Sequence, residues 1–298
     1  MRRNTPRYVF LDNWVFSLLR DAEAAARLDV FVRSNGFTVL LTSLSMVELY
    51  NPGWEKGGAD ERGAATVRFL ARVPCVIVNP VRIWEMEAAA RLRPLQALPF
   101  ELDLSNLSAE LREETLLRFL RRDQLFLQQG HDIHAWSQNY EEAKKGWLSD
   151  VANIIENACR HGPLKRDSTG ALTDLEDAKE LFLWSLDLRY ADPNATDEIL
   201  EDALKRARAG LRPRLTSARL SSLCFWYSYV DVDKANRTRR SGSDLGDLYH
   251  ISLLPYCSAF TTDGTMYRMI QRMRERVVPV SCQLMTKHLL EGHVRGYV

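Results

Sequence analysis

The sequence predicts an α/β fold with a mostly parallel central sheet assembled from both ends of the chain. Three observations predict it. Short, continuous apolar runs alternate with segments of helical spacing over residues 8–92, and such runs suit strands buried on both faces. Turn and breaker residues punctuate the alternation at Gly36, Asn51-Pro52-Gly53 and Asn79-Pro80. The same alternation returns after residue 244, separated from the first stretch by a long helical middle. Strand–helix–strand order of this kind implies right-handed crossovers and ligand binding beyond the carboxyl ends of the strands.

The first strand is read at residues 8–11 and is stopped by Asp12. Residues 14–33 place Val15, Leu18, Leu19, Ala22, Ala26 and Val30 on one broad helical face. The β-rich run at 38–41 ends in Thr42-Ser43, and a helix carrying Ser45 and Glu48 follows. Residues 60–72 are helical, and 75–78 form a third buried strand. Helical patterns then dominate over 82–92, 108–129, 134–161, 174–190, 195–209 and 216–230, with linkers at 93–99, 162–170 and 210–213. At the end, 244–254 reads as a short helix, 257–261 as a strand stopped by Asp263, 264–276 as a helix and 277–280 as a last strand. The expected organisation is a discontinuous α/β domain (1–92 and 234–298) interrupted by an all-helical insertion (93–233).

Composition narrows the function classes. With 46% hydrophobic and 27% charged residues the 298-residue chain has the makeup of an ordinary globular protein. A net charge of +1 argues against binding nucleic acid by bulk charge alone, but leaves room for a local basic groove. Five scattered cysteines indicate neither a disulfide framework nor a cysteine zinc site. No apolar stretch is long enough to span a bilayer, and the apolar N-terminal run is interrupted by Asp12, so no membrane partner and a cytoplasmic location are expected.

The acidic residues carry the chemistry. Asp12 and Asp263 each follow a strand, Glu48 lies on the helix after the second strand, and Asp244 and Asp247 are three apart on a helix and can face one side. If the sheet forms as read, these groups meet at its carboxyl edge. Clustered carboxylates cannot all stay ionised without a cation. Hard oxygen ligands favour Mg²⁺ or Mn²⁺, which activate water and stabilise an in-line phosphate transition state.

These residues also resemble a family. Val9-Phe10-Leu11-Asp12-Asn13, Thr42-Ser43 with Glu48, Asp247-Leu248-Tyr249-His250 with Leu254-Pro255-Tyr256, and Phe260-Thr261-Thr262-Asp263 are similar to the motifs of the PIN-domain nucleases, over roughly residues 7–92 and 240–280. The resemblance implies a three-layer α/β/α fold and a Mg²⁺- or Mn²⁺-dependent endoribonuclease acting on single-stranded RNA. It assigns Asp12, Glu48 and Asp263 to the first, second and fourth acids. The third is Asp247, which leads an Asp-x-x-His pattern, or Asp244. Small members of that family are often toxins held in check by an antitoxin protein and longer ones serve in RNA processing or defence, so a toxin or defence-type ribonuclease is one expectation; the helical middle could clamp substrate, bind such an inhibitor or form a homodimer. The helical middle is not covered by the resemblance.

Around the acids, Thr42, Ser43 and Thr261 can contact phosphate or metal-bound water, or can simply end strands and cap helices. Asn13 can hydrogen-bond near the metal or turn the chain. His250 can support Asp247 or pack in the core. Arg237, Arg239, Arg240 and Lys234 before Asp244, and Arg268 after Asp263, can bind flanking phosphates or form solvated surface. His131 and His134 have metal-ligand spacing without a third ligand. Trp14 and Trp54 flank the acids and can stack bases or pack. A haloacid-dehalogenase-like phosphatase would need a second aspartate where Trp14 stands. A structure-specific DNA nuclease and a non-catalytic PIN-like interaction protein remain the alternative readings.

Overall fold

A computed structural model of the chain describes residues 7–50, 60–90, 94–161, 163–175, 178–183, 186, 205, 216–230, 244–276 and 282–295. Its centre is a six-stranded sheet. The strands are β1 (Arg7–Phe10), β2 (Phe37–Thr42), β3 (Cys75–Val78), β4 (Phe100–Asp103), β7 (Cys257–Thr261) and β8 (Gln283–Met285), in the order β4-β3-β2-β1-β7-β8. Every pairing is parallel except β3 with β4. The chain runs outward from β1 through β2 and β3, then returns to the other side of β1 with β7 and β8. The strand order therefore reverses beside β1, and a crevice forms between connections that leave in opposite directions.

The apolar runs form strands because both of their faces are buried. Val9, Val39, Leu41, Cys75, Ile77, Ala259 and Met285 enter one core, while Phe10, Leu40, Val76, Val78, Phe260 and Leu284 enter the other. The first core is closed by α1 (Asn13–Leu18), α2 (Ala22–Ser34), α3 (Ser43–Leu49), α4 (Glu61–Arg72), α6 (Ala109–Leu120), α7 (Gln124–Gln128) and α12 (Lys287–Arg295). The second is closed by α5 (Pro80–Ala89), α8 (Ile133–His161), α9 (Ser217–Phe225), α10 (Asp244–Ile251) and α11 (Gly264–Arg276). Helices thus cover both faces of the sheet.

Several elements differ from expectation, each for a local reason. The helix expected over 14–33 is two helices, because Asp21 caps α2 by accepting the Glu23 N–H at 2.9 Å. The segment 108–129 likewise divides at Arg122, whose φ is +58°, and Asp123 caps α7. The range 93–233 is not all-helical. β4 adds an antiparallel edge to the main sheet, and a small hairpin joins β5 (Lys165–Arg166) to β6 (Leu172–Thr173). An edge strand reading Phe-Glu-Leu-Asp, half-exposed along its length, lacks the apolar run that marks a central strand. Side chains from this range also enter both cores, including Leu116, Phe119 and Phe126 in one and Trp147, Phe182 and Phe225 in the other. The strand expected at 277–280 lies outside the described residues. All five cysteines are free, and four are buried.

Candidate functional site

The site is built where β1, β2 and β7 end. Asp12 leaves β1 in an extended conformation (φ −68°, ψ 157°) and caps α1, its Oδ1 accepting the Asn13 N–H at 2.6 Å. Asp263 occupies the matching position after β7, its Oδ1 accepting the Met266 N–H at 2.7 Å at the start of α11. Two carboxylates on adjacent parallel strands therefore sit at helix N-termini on either side of the reversal in strand order. Thr261 locks the two strand ends together. Its Oγ1 accepts the Asp12 N–H at 2.6 Å and donates to the Phe10 carbonyl at 3.2 Å.

Glu48 and Asp247 are carried by α3 and α10, and their charges and that of Asp12 all bear on His250 of α10. His250 is buried, packed against Phe10 at 5.0 Å, with Nδ1 3.4 Å from Thr42 Oγ1 and Nε2 3.8 Å from Glu48 Oε2. Burial pulls its pKa down, but the carboxylates of Glu48, Asp12 and Asp247 outweigh that and hold it above the ordinary histidine value. It belongs both to the core and to the carboxylate cluster. Burial pushes the Asp12 carboxyl up; His250 and the Asn13 N–H oppose the rise, and Glu48 and Asp263 add to it. These acids are thus close enough to feel one another's charge.

Two residues absent from the sequence reading complete this side. Burial, reinforced by Glu48, Glu141 and Asp247, raises the Tyr140 phenol, so it stays protonated beside the acids. Gly246 makes room for it: a Cβ there would stand 2.9 Å from the Tyr140 hydroxyl and 3.8 Å from Glu48 Oε1. A glycine inside a short helix is the signal that could have marked this close approach. Tyr140 had no comparable signal, because it sits in a 29-residue helix that also carries Trp136 and Trp147.

The remaining candidates divide. Thr42 is fully buried, and its hydroxyl forms a capping box with Ser45. Thr261 has its hydroxyl engaged as above, so both threonines shape the site from beneath its surface. Asn13 starts α1 and accepts Arg62 hydrogen bonds at its carbonyl (3.1 Å) and at its side chain. Ser43 lines a cleft of about 380 Å³ with Trp136, Tyr140 and Tyr249. Arg268 is exposed on α11. Trp14 is half-buried against the first core. His131 pairs with Glu101 at 3.4 Å, and His134 with the Tyr50 hydroxyl at 3.2 Å, so the structure sets them in separate interactions. Asp244 opens α10, but its side chain, together with Lys234, Arg237, Arg239, Arg240 and Trp54, lies outside the described residues.

Among the described residues, no group of three or more His, Cys, Asp and Glu side chains stands ready to hold a metal ion in this conformation. The donor chemistry nonetheless suits a hard cation. The acids are oxygen donors at a shared edge, and Glu48 Oε2 is buried without a hydrogen-bond partner. Comparison with protein-family models, curated proteins and solved structures finds no match to this chain.

Proposed function

We propose that the chain is a PIN-like, divalent-metal-dependent endonuclease that hydrolyses phosphodiester bonds in single-stranded RNA. The observation that carries this reading is that the charges of Asp12, Glu48 and Asp247 bear on His250, and that of Asp263 on Asp12, where the strand order reverses. Single-stranded RNA is the substrate that the motif resemblance implies.

In this reading Asp12, Asp263 and Asp247 hold Mg²⁺ or Mn²⁺. When bound, the cation supplies an activated water and neutralises phosphate charge. Asp12 and Asp263 each spend one carboxylate oxygen on a helix N–H, which fixes the orientation of the other. Thr261 sets the Asp12 backbone, so a small shift there would misplace the carboxylate. Glu48 orients the attacking water, and His250 steadies Glu48, with Nε2 3.8 Å from Glu48 Oε2. Tyr140 keeps a hydroxyl donor beside Glu48 for a phosphate oxygen.

The test is cleavage of labelled single-stranded RNA, single-stranded DNA and duplex DNA with and without Mn²⁺. The expected result is metal-dependent RNA cleavage that Asp12→Asn abolishes while the circular dichroism spectrum is unchanged. Equal cleavage by both proteins, or no cleavage of any substrate with Mg²⁺ or Mn²⁺, would sink the proposal.

A further inference from the structure

Beside the acids lies the cleft that the helical middle of the chain helps to build. Ser43 and Asn79 line it from the carboxyl ends of β2 and β3, Trp136, Asn139 and Tyr140 from α8, and Tyr249 from α10. Its volume of about 380 Å³ falls in the range of small-ligand sites. Among the described residues, those that line it carry no charge: aromatic faces stand with aliphatic side chains, two neutral amides and a hydroxyl.

The walls are held in place from behind. Tyr249 stacks on Trp84 with ring centroids 5.4 Å apart and planes 20° apart. Trp136 packs against Phe119 at 5.9 Å and His131 at 6.0 Å. The Asn79 Oδ1 accepts the Val81 N–H at 3.0 Å at the start of α5, which leaves the Nδ2 group as the donor. Fixed rings with convergent amides match an unpaired nucleobase, which offers a π-face for stacking and an edge for hydrogen bonds. The cleft also borders the acids through Tyr140. Tyr140 forms part of its wall, and the same residue's hydroxyl stands beside Gly246 and Glu48.

We propose that this cleft is a subsite for one unpaired nucleobase, adjacent to the phosphate that the carboxylate cluster cleaves. The proposal rests on the nuclease reading and deepens it. It gives the helical middle a role in gripping the strand, and explains how a chain with a net charge of +1 can hold RNA through stacking as well as charge.

The experiment measures binding to full-length Asp12→Asn protein, which leaves the strand uncut. The probes are a single-stranded RNA hexamer in which every base is 2-aminopurine, whose fluorescence reports stacking, and an abasic ribose-phosphate strand of equal length. Ala143 lines the same cleft from an exposed position on α8, so Ala143→Trp fills the space without entering either core. Adding Ala143→Trp is expected to weaken binding of the base-bearing strand roughly five- to hundredfold, the range for losing one stacked base. Binding of the abasic strand should not change. Trp136→Ala, the second variant, should reduce the fluorescence change in the same direction. Equal losses on both strands, or no loss on either, would overturn the subsite. Cleavage by the wild-type chain is scored separately. If cleavage occurs and cleft variants bind normally, the subsite fails and the nuclease reading stands. If binding depends on bases and on Ala143 but nothing is ever cut, the nuclease reading fails and the cleft remains a base-binding site. Failure to bind either strand would overturn the subsite.

Discussion

The Asp12 carboxyl gives one oxygen to the Asn13 N–H, while burial first and the neighbouring Glu48 and Asp263 charges second push its pKa up. A raised folded-state pKa favours the protonated form. Its contribution to stability is therefore full below the ordinary aspartate value and is lost as pH rises through the raised one. At pH 7 without metal the ionised Asp12 weighs against folding. Asp12→Asn keeps the capping acceptor and removes the charge, so it should stabilise the metal-free protein by about 0.5–2 kcal/mol while abolishing cleavage. Chemical denaturation at pH 7 in chelator checks this, and a clear loss of stability would contradict it. Thr261 provides a second case. Thr261→Val leaves the Asp12 N–H without its acceptor, at a cost of about 1–3 kcal/mol, and should also reduce cleavage by misplacing the carboxylate. Thr261→Ser should restore both measurements towards wild type; if Thr261→Val matched wild type in stability and rate, the positioning role would be wrong. At this scale the placement of Asp12 and Asp263 was legible, because each follows a strand that stops just before it. The commitments of Thr42 and Thr261 were not, since capping and ligand contact use the same residue types.

The elements of the α/β part were readable wherever burial on both faces wrote a continuous apolar run. β3 and β7 match their expected bounds for that reason. β4 did not announce itself, because an antiparallel edge strand with one exposed end carries only half the pattern. The contact between α5 and α9 was also hidden. Glu87 is fully buried, accepting the Ser217 N–H at 2.9 Å, the Ala218 N–H at 3.3 Å and the Tyr256 hydroxyl at 2.6 Å. It supplies from a distant helix the acceptor that the first N–H groups of α9 lack. No local pattern reveals a partner 130 residues away. Glu87→Ala strands two buried N–H donors and the half-buried Tyr256 hydroxyl and should cost roughly 3 kcal/mol or more in denaturant unfolding. A cost below 1 kcal/mol would show that water or another side chain replaces the carboxylate.

At the scale of the whole molecule, the sheet positions the candidate acids by topology. β1 lies between strands reached in opposite directions, and Asp12 and Asp263 follow the neighbouring ends. That arrangement could be inferred from the chain because its two α/β stretches are separate in sequence and similar in pattern. The role of the middle could not, since helical spacing names a buried face without saying what it packs on. In the fold that middle contributes to both cores and walls the cleft beside the acids. Among the described residues, no helix is long and apolar enough to cross a membrane. The central claim is that the acids at this edge share one divalent cation, and crystals soaked in Mn²⁺ test it most directly. An anomalous-scattering peak is expected within ligand distance, about 2.0–2.3 Å, of carboxylate oxygens of Asp12 and Asp263, with Asp247 or Asp244 completing the set. No peak there at saturating Mn²⁺, or a peak only at other carboxylates, would contradict it.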